Sequence, residues 1–193
     1  MRLAPAVLEN RFVRLEPMTE AHRDGLRAAC DADAETWTAL YPYCLAGEHF
    51  DANWARLYGS PPPDRMNFAV VCAGRCRGVS SYLGVDQDNA VLEIGGTYYD
   101  PAVRGGPANP AAKRLLLAHA FEAGARRVQF KVDAINARSR AAVLKLGAVQ
   151  EGALRADRVT WTGRIRDTVF FSILAPEWPA VRDRLDARLA AFA

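Results

Sequence analysis

The stretch from Leu92 to Lys113 constrains the fold most, because a strand pattern changes there into a helix pattern across a glycine turn. Its first part, Leu92–Tyr99, is apolar and aromatic except for one acid, Glu93. Two glycines follow Arg104, and a helix pattern begins beyond them. A strand, a tight turn and a helix in direct succession are typical of a domain that mixes helices with a sheet.

The glycine turn also predicts an anion-binding site. Asn109 is expected to cap a helix from Pro110 to Ala123, because both residue types favour the start of a helix. A helix N-terminus presents unpaired N–H groups and a partial positive charge, which suit a phosphate. We therefore expect the turn to bind a diphosphate-bearing ligand and the strand to line a reaction site. A tight strand-to-helix connection without a ligand is the alternative.

The chain has 193 residues, half of them hydrophobic, which predicts one domain spanning residues 1–193. The net charge of +3 comes from charges that alternate in sign along the chain, which argues against nucleic acid as a partner. No run of apolar residues is long enough for a membrane span, so no membrane partner is expected. The stretch Met1–Asn10 lacks the apolar run of a signal peptide, which favours a cytoplasmic location.

The four cysteines and three histidines show no disulfide or metal-ligand spacing. Cys72 and Cys76 flank the turn at Ala73–Gly74, as the two strands of a hairpin would place them. No metal cofactor is therefore expected.

Periodicity predicts the sheet. Short connections between three strands before the turn predict an antiparallel meander. The alternating stretch Arg127–Ala134 follows a helix and is expected to run parallel to the third strand. The result is an α+β fold (an α/β mixed sheet) of about seven mostly antiparallel strands, with one parallel pair and flanking helices. The predicted strands are Arg11–Glu16, Asn67–Cys72, Arg77–Val85, Ala90–Tyr99, Arg127–Ala134, Val149–Arg155 and Arg166–Leu174.

The segment Trp37–Leu45 is aromatic and interrupted by proline, and we interpret it as an irregular loop. It either packs over the core or forms a wall of a substrate site. In the second case, Trp37 and Tyr41 are candidate substrate contacts, and the acids nearby favour a cationic or amine-bearing substrate.

A second informative stretch runs from Asp133 to Gly152. A strand ends there, Asn136 is expected to cap the next helix, and Ser139 falls in its first turn. Two helix starts that follow adjacent parallel strands would face one crevice, where ligands of such sheets bind. Lys113 and Arg138 would supply positive charge, or would simply lie on solvated helix surfaces.

Strand, glycine turn and helix, followed by strand, N-x-x-S, helix and L-G-A, resemble the GNAT superfamily of acyl-CoA-dependent N-acetyltransferases. The sequence is most similar to the RimJ/RimL-type branch, which acetylates protein N-termini. The matching stretches cover nearly the whole chain in order. They are Val13–Pro17, Glu93–Gly95, Arg104–Lys113, Arg127–Asp133, Asn136–Ala142, Leu146–Gly152, Arg166–Ser172 and Glu177–Pro179.

The resemblance implies acetyl-CoA as the acetyl donor, with its pyrophosphate on the turn and its pantetheine arm between two diverging strands. In the family's pyrophosphate pattern, (Gln or Arg)-x-x-Gly-x-(Gly or Ala), Pro107 stands where the inner glycine is expected. Proline has no N–H, so one donor is lost and weaker binding is expected. The implied cofactor contacts are Thr97, Tyr98, Tyr99, Arg104, Gly105, Gly106, Ala108, Asn109, Lys113, Asn136, Arg138 and Ser139.

For catalysis, the resemblance implies a general base, and Glu93 is the first candidate, acting through a water. A structural acid paired with an arginine is the alternative, and Glu151 and Asp167 are further candidates; Asp167 is also a candidate substrate contact. A strand N–H near Thr97 would polarise the thioester carbonyl. The family's tyrosine position corresponds to Val143, so Ser139 is the remaining hydroxyl for the leaving sulfur.

The implied reaction is direct attack by a primary amine, either a protein N-terminus or a small molecule, in a ternary complex of a monomer or homodimer. No cysteine lies in the implied site, which argues against an acyl-cysteine route. A catalytically inactive CoA-binding sensor or protein-interaction domain is the alternative, suggested by Pro107 and Val143. A phosphotransferase is disfavoured because the sequence lacks a G-x-x-x-x-G-K-[ST] loop.

Overall fold

The computed structural model describes residues 1–192 and contains one eight-stranded sheet. The strand order across the sheet is β1-β2-β3-β4-β5-β6-β8-β7. The additional strand relative to the prediction is the two-residue β1. The strands are β1 (Leu8–Glu9), β2 (Arg14–Pro17), β3 (Met66–Cys72), β4 (Arg75–Asp86), β5 (Val91–Tyr99), β6 (Arg127–Asp133), β7 (Val149–Val159) and β8 (Ile165–Leu174).

Helices cover both faces of the sheet. Side chains of α1, α2 and α3 form one hydrophobic cluster on one face, and those of α4, α5 and α6 belong to a larger cluster on the other. Within residues 1–192, no helix is long and apolar enough to cross a bilayer. The helices are α1 (Arg23–Asp31), α2 (Ala34–Leu40), α3 (Phe50–Trp54), α4 (Ala108–Glu122), α5 (Ala137–Leu146) and α6 (Trp178–Ala190).

The strands β5 and β6 form the parallel pair predicted from their connection by a helix. Their pairing starts at Val91 with Arg127 and ends at Glu93 with Gln129. The remainder of β5 pairs only with β4, so the two parallel strands separate beyond Glu93. This separation opens the sheet at the carboxyl ends of β5 and β6.

A bulge in β5 changes which side chains face which layer of helices. Ser81 of β4 pairs with Gly95, but Val79 pairs with Tyr98, so β5 contains one extra residue. Gly96 lies within the bulge and has a φ of +55°, which favours glycine. Beyond the bulge, Thr97 faces α4 and Tyr98 faces α1 and α2.

The clearest difference from the prediction is α2. Residues Ala34–Leu40 form a helix that ends before Pro42, and Asp33 caps it by accepting a hydrogen bond from the Thr36 N–H at 3.3 Å. The prediction of an irregular segment from Trp37 was therefore wrong for its first four residues. The other predicted elements are present, with shifted ends.

Candidate active site

The parallel strands β5 and β6 stop pairing beyond Glu93, and we call the region between their carboxyl ends the crevice. From β5 the chain passes through the glycine turn into α4, and from β6 it passes through Asn136 into α5. Both helices therefore begin at the same edge of the sheet, as their order in the sequence predicts.

The turn before α4 leaves backbone amides without acceptors. Gly105 has a φ of +78°, and a Cβ added there would meet no atom within 4 Å. The Ala111 N–H donates to the Pro107 carbonyl at 2.9 Å, as the first bond of the helix. Unpaired N–H groups at a helix start suit phosphate oxygens. In this turn of the described chain, the N–H groups of Gly105, Gly106, Ala108 and Asn109 have no protein acceptor.

The helix begins two residues earlier than predicted, so Asn109 is not its cap. Pro107 occupies the N-cap position and has no capping side chain. Proline neither donates an N–H to a ligand nor competes for the neighbouring amides. The turn therefore lacks one donor while the others remain available.

The side chain of Arg104 stabilises the turn from within the protein. Its Nε donates to the Tyr99 carbonyl at 2.8 Å, and its other end forms an ion pair with Asp33. Burial acts to raise the pKa of Asp33, but the hydrogen bond and charge of Arg104 outweigh it and lower that pKa. Two of the three guanidinium nitrogens of Arg104 are therefore committed to contacts within the protein.

Lys113 does not lie at the surface of the turn. Its side chain is buried, and its Nζ donates to Thr97 Oγ1 at 2.8 Å and to Ser80 Oγ at 3.2 Å. Burial lowers the pKa of Lys113 to about 7, although the charge of Glu93 opposes the shift. In this geometry the ammonium supports the β5 bulge rather than the glycine turn, so the role of Lys113 as a counter-charge for phosphate stays a prediction that these contacts do not support.

The Glu93 carboxylate lies at the opening of the crevice. The Lys131 Nζ is 3.1 Å from Glu93 Oε2, and this ammonium lies over the ring of Phe170. A Cβ added at Gly95 would clash with Glu93 Oε1, so the carboxylate folds back over the bulge. The ion pair expected as the structural alternative is present, with lysine in place of arginine.

The start of α5 agrees with the prediction for Asn136. Its Oδ1 accepts a hydrogen bond from the Ser139 N–H at 3.0 Å and caps the helix. Ser139 is half-buried, whereas Arg138 is exposed. Val143 is buried in the core, so the position implied for a tyrosine contributes no hydroxyl.

The aromatic residues predicted as a substrate wall belong to the packing of the protein. Trp37 is fully buried, stacks on Tyr98 and donates from Nε1 to the Cys30 carbonyl at 3.2 Å. It cannot contact a substrate, so that prediction was wrong. Tyr41 donates its hydroxyl to the Thr97 carbonyl at 2.6 Å, and burial raises its pKa. Tyr41 therefore holds the β5 backbone, and its contact with a substrate stays a prediction.

The two other candidate general bases, Asp167 and Glu151, are held by contacts elsewhere in the sheet. Asp167 is exposed and accepts a hydrogen bond from the Ala156 N–H at 2.7 Å, across the β7–β8 pair. Glu151 forms an ion pair with Arg127, which lowers its pKa to about 2. A carboxylate held this way is a poor base, and Arg127 lies at the opposite end of β6 from the crevice.

Two cationic residues near the bulge were not predicted from the sequence. Lys131 belongs to the polar face of β6 by alternation, but only the strand register reveals Glu93 as its partner. Arg65 follows a proline-rich stretch that is typical of an exposed loop, yet its guanidinium lies close to Gly96. No group of three or more potential ligands in residues 1–192 is placed to hold a metal ion.

The sequence of residues 13–149 matches the family model described as "Acetyltransferase (GNAT) domain". The chain belongs to the GNAT acetyltransferase family. An acetyltransferase structure from T. thermophilus is 39% identical, with a TM-score of 0.87 over 98% of this chain and 100% of the other. No curated protein matches the sequence.

RimJ and RimL are among the solved structures that share the fold of this chain. RimJ of Mycobacterium smegmatis, solved in complex with CoA-disulfide, is 22% identical with a TM-score of 0.83, over 95% of each chain. RimL, an α-N-protein acetyltransferase of ribosomal L7/L12, is 17% identical with a TM-score of 0.74, over 89% of this chain and 99% of the other. At these identities the similarity shows the shared fold alone.

As a GNAT family member, this chain is an N-acetyltransferase, and the family uses acetyl-CoA. The residues present fit that cofactor on two counts. The glycine turn offers amides without protein acceptors, and the separated strands leave space at the same edge of the sheet.

Proposed function

We propose that this N-acetyltransferase, as one domain, transfers an acetyl group from acetyl-CoA to a primary amine by direct attack in a ternary complex. The acceptor is a protein N-terminal α-amine or a small-molecule amine. The observation that carries the proposal is the set of unpaired amides at the glycine turn, at the sheet edge where β5 and β6 separate beyond Glu93.

The turn would bind the pyrophosphate of acetyl-CoA. The N–H groups of Gly106, Ala108 and Asn109 are the proposed donors, supported by the partial positive charge of α4. Hydrogen bonds to a charged group contribute about 1.5–3 kcal/mol each. Three donors are therefore enough for specific binding although Pro107 contributes none.

Acetyl-CoA supplies the acetyl group as a thioester, and the protein supplies the position of the reacting carbonyl. A backbone N–H of β5 near Thr97 is the proposed hydrogen-bond donor to that carbonyl. Thr97 is held on two sides, because Lys113 binds its hydroxyl and Tyr41 binds its carbonyl. Such fixation keeps the donor in place without reorganisation during the reaction.

Glu93 is the proposed general base, acting through a water on the acceptor ammonium. An N-terminal α-amine has a pKa near 8 and needs less assistance than a lysine amine near 10.4. Lys131 would fix the orientation of the carboxylate through their ion pair.

The half-buried hydroxyl of Ser139 is the proposed hydrogen-bond donor to the departing sulfur. An acyl-cysteine route is disfavoured because burial raises the pKa of all four cysteines, which keeps them as unreactive thiols. Direct transfer is therefore the simpler route for this chain.

Calorimetric titration with acetyl-CoA tests the cofactor assignment, with ATP as the control anion. Roughly micromolar binding of acetyl-CoA without binding of ATP supports it. Absence of acetyl-CoA binding would require the enzymatic proposal to be withdrawn. Binding without acetyl transfer to any amine would instead favour a CoA-binding sensor, for which Pro107 and the buried Val143 are the supporting observations. The cytoplasmic location stays a prediction.

A further inference from the structure

Arg65 is a cation beside the β5 bulge that has no acidic partner in the described part of the chain. Its Nε donates to Asn67 Oδ1 at 2.6 Å, and its Nη2 donates to Ser81 Oγ at 3.5 Å. Both acceptors are neutral. The guanidinium lies over the ring of Tyr58, 5.6 Å from its centroid, which fixes it further.

Two other cations on this face of the sheet are paired with carboxylates. Lys131 lies 3.1 Å from Glu93, and Arg164 forms an ion pair with the buried Asp133. Arg65 thus supplies an uncompensated charge that is already held in position. The Tyr58 hydroxyl nearby is also buried and has no hydrogen-bond partner in residues 1–192.

The bulge places this charge next to the proposed catalytic acid. Gly95 and Gly96 face the same side of the sheet, because the extra residue interrupts the alternation of β5. The Glu93 carboxylate lies over Gly95. The Arg65 Nη2 lies over Gly96, 3.3 Å from where a Cβ would be. Consecutive Cα atoms are about 3.8 Å apart, so the acid and the guanidinium lie over adjacent positions.

We propose that Arg65 binds a carboxylate of the acceptor, so that the acceptor is an amine whose own carboxylate is only a few bonds away. This inference rests on the proposed function, because the acceptor amine must lie at Glu93 while the acceptor carboxylate lies at Arg65. Arginine is suited to the task, since its guanidinium remains charged and donates several N–H bonds in a fixed plane. A neutral acceptor of the same shape would leave the guanidinium unpaired.

Binding of a product-like pair tests the proposal without requiring turnover. We would titrate N-acetylglycine and N-acetylglycinamide, with and without CoA, and follow binding by ligand-observed NMR. The wild-type protein is expected to bind the carboxylate about tenfold more tightly than the amide, and Arg65→Gln is expected to abolish that preference. Arg56→Gln is the matched control: Arg56 also lies over an aromatic ring, that of Tyr43, but is exposed and donates to Asn53. It should retain the preference.

Equal binding of the two ligands by the wild-type protein, or binding of neither, would overturn the proposal. If Arg65→Gln lost affinity equally for both ligands, the proposal would also be overturned, because Arg65 would then have a structural role only. Acetyl-CoA binding and acetyl transfer are measured separately. Absence of a preference for the carboxylate ligand would therefore leave the enzymatic proposal unaffected. Circular dichroism of Arg65→Gln distinguishes lost recognition from lost folding.

Discussion

The Lys131 Nζ lies 3.1 Å from the carboxylate of Glu93, which is the last residue of β5 that pairs with β6. The ion pair therefore links the two strands where they begin to separate. The ion pair orients Glu93 as the proposed base. In a catalytically inactive relative, the same ion pair would serve only to hold the two strands together. The two roles make different predictions for variants of the two residues.

Glu93→Gln is expected to lower kcat by about 10²–10⁴, because an amide cannot accept the proton of the acceptor amine. The affinity for acetyl-CoA, measured by calorimetry, should stay within about twofold of the wild type, since Glu93 lies outside the glycine turn. Steady-state thiol release measures kcat.

Lys131→Met is the companion variant, because it breaks the same ion pair and keeps the carboxylate. It should retain far more activity than Glu93→Gln. If the two variants lose stability and activity equally, and the double variant is no worse than either, Glu93 is a structural acid only.

Two substitutions of Pro107 test the turn in opposite directions. Pro107→Ala keeps a φ near −73° and adds an N–H, so acetyl-CoA should bind up to about tenfold more tightly. Pro107→Asp should stabilise α4 by about 0.3–1 kcal/mol, because a carboxylate interacts favourably with the partial positive charge of the helix N-terminus, but the same carboxylate would occupy the amides and repel phosphate. Thermal unfolding and calorimetry should therefore show a more stable protein that binds acetyl-CoA more weakly. Unchanged binding in both variants would place the pyrophosphate elsewhere.

Burial of Lys113 predicts a pH dependence of stability. Its pKa is lowered to about 7 in the folded state, against about 10.4 in the unfolded chain. Between these values the unfolded chain binds more protons, so the free energy of unfolding rises as the pH is raised from 7 to 10. Below pH 7 the cost of the buried charge is present in full.

Lys113→Met should consequently raise the free energy of unfolding at pH 6 by at least about 1 kcal/mol, and the gain should shrink by pH 9. The hydroxyls of Ser80 and Thr97 stay satisfied without the lysine, since they lie 2.7 Å apart. Urea unfolding at the two pH values measures the effect, with the exposed Lys145→Met as the control. A pH-independent loss of stability in Lys113→Met would contradict the prediction.

Arg104→Gln separates a structural arginine from a cofactor contact. The variant loses the ion pair to Asp33 and the bond to the Tyr99 carbonyl, so we expect about 1–2 kcal/mol lower stability. Acetyl-CoA affinity at a temperature where the variant is folded should change little. A tenfold loss of affinity with unchanged stability would show that Arg104 binds phosphate.

Local patterns were sufficient to predict the sheet. The alternation of β6, the helix before it and the turn at Ala73–Gly74 depend on neighbouring residues, and the structure has the predicted meander and parallel pair. The segment from Trp37 was predicted wrongly because Pro42 was taken to interrupt all of it. The helix instead ends first, and Asp33 caps its start.

Side-chain roles at the site depended on contacts that no local pattern contains. The bulge at Gly96 reverses the alternation of β5, so Thr97 faces Lys113 and draws that ammonium into the core. Arg104 is likewise satisfied by Asp33, which is distant in sequence. The position of Glu93 at the crevice followed from the strand, whereas its partner Lys131 required the register of two strands.

Acetyl transfer itself is the most direct test of the account. Purified protein would be incubated with acetyl-CoA and a panel of α-amino acids, their amides and N-terminal peptides, and thiol release and acetylated product would be measured together. We expect equal amounts of thiol and N-acetylated product for at least one acceptor, with both strongly reduced in Glu93→Gln. Binding of acetyl-CoA without acetylation of any amine, or equal transfer by Glu93→Gln, would contradict it.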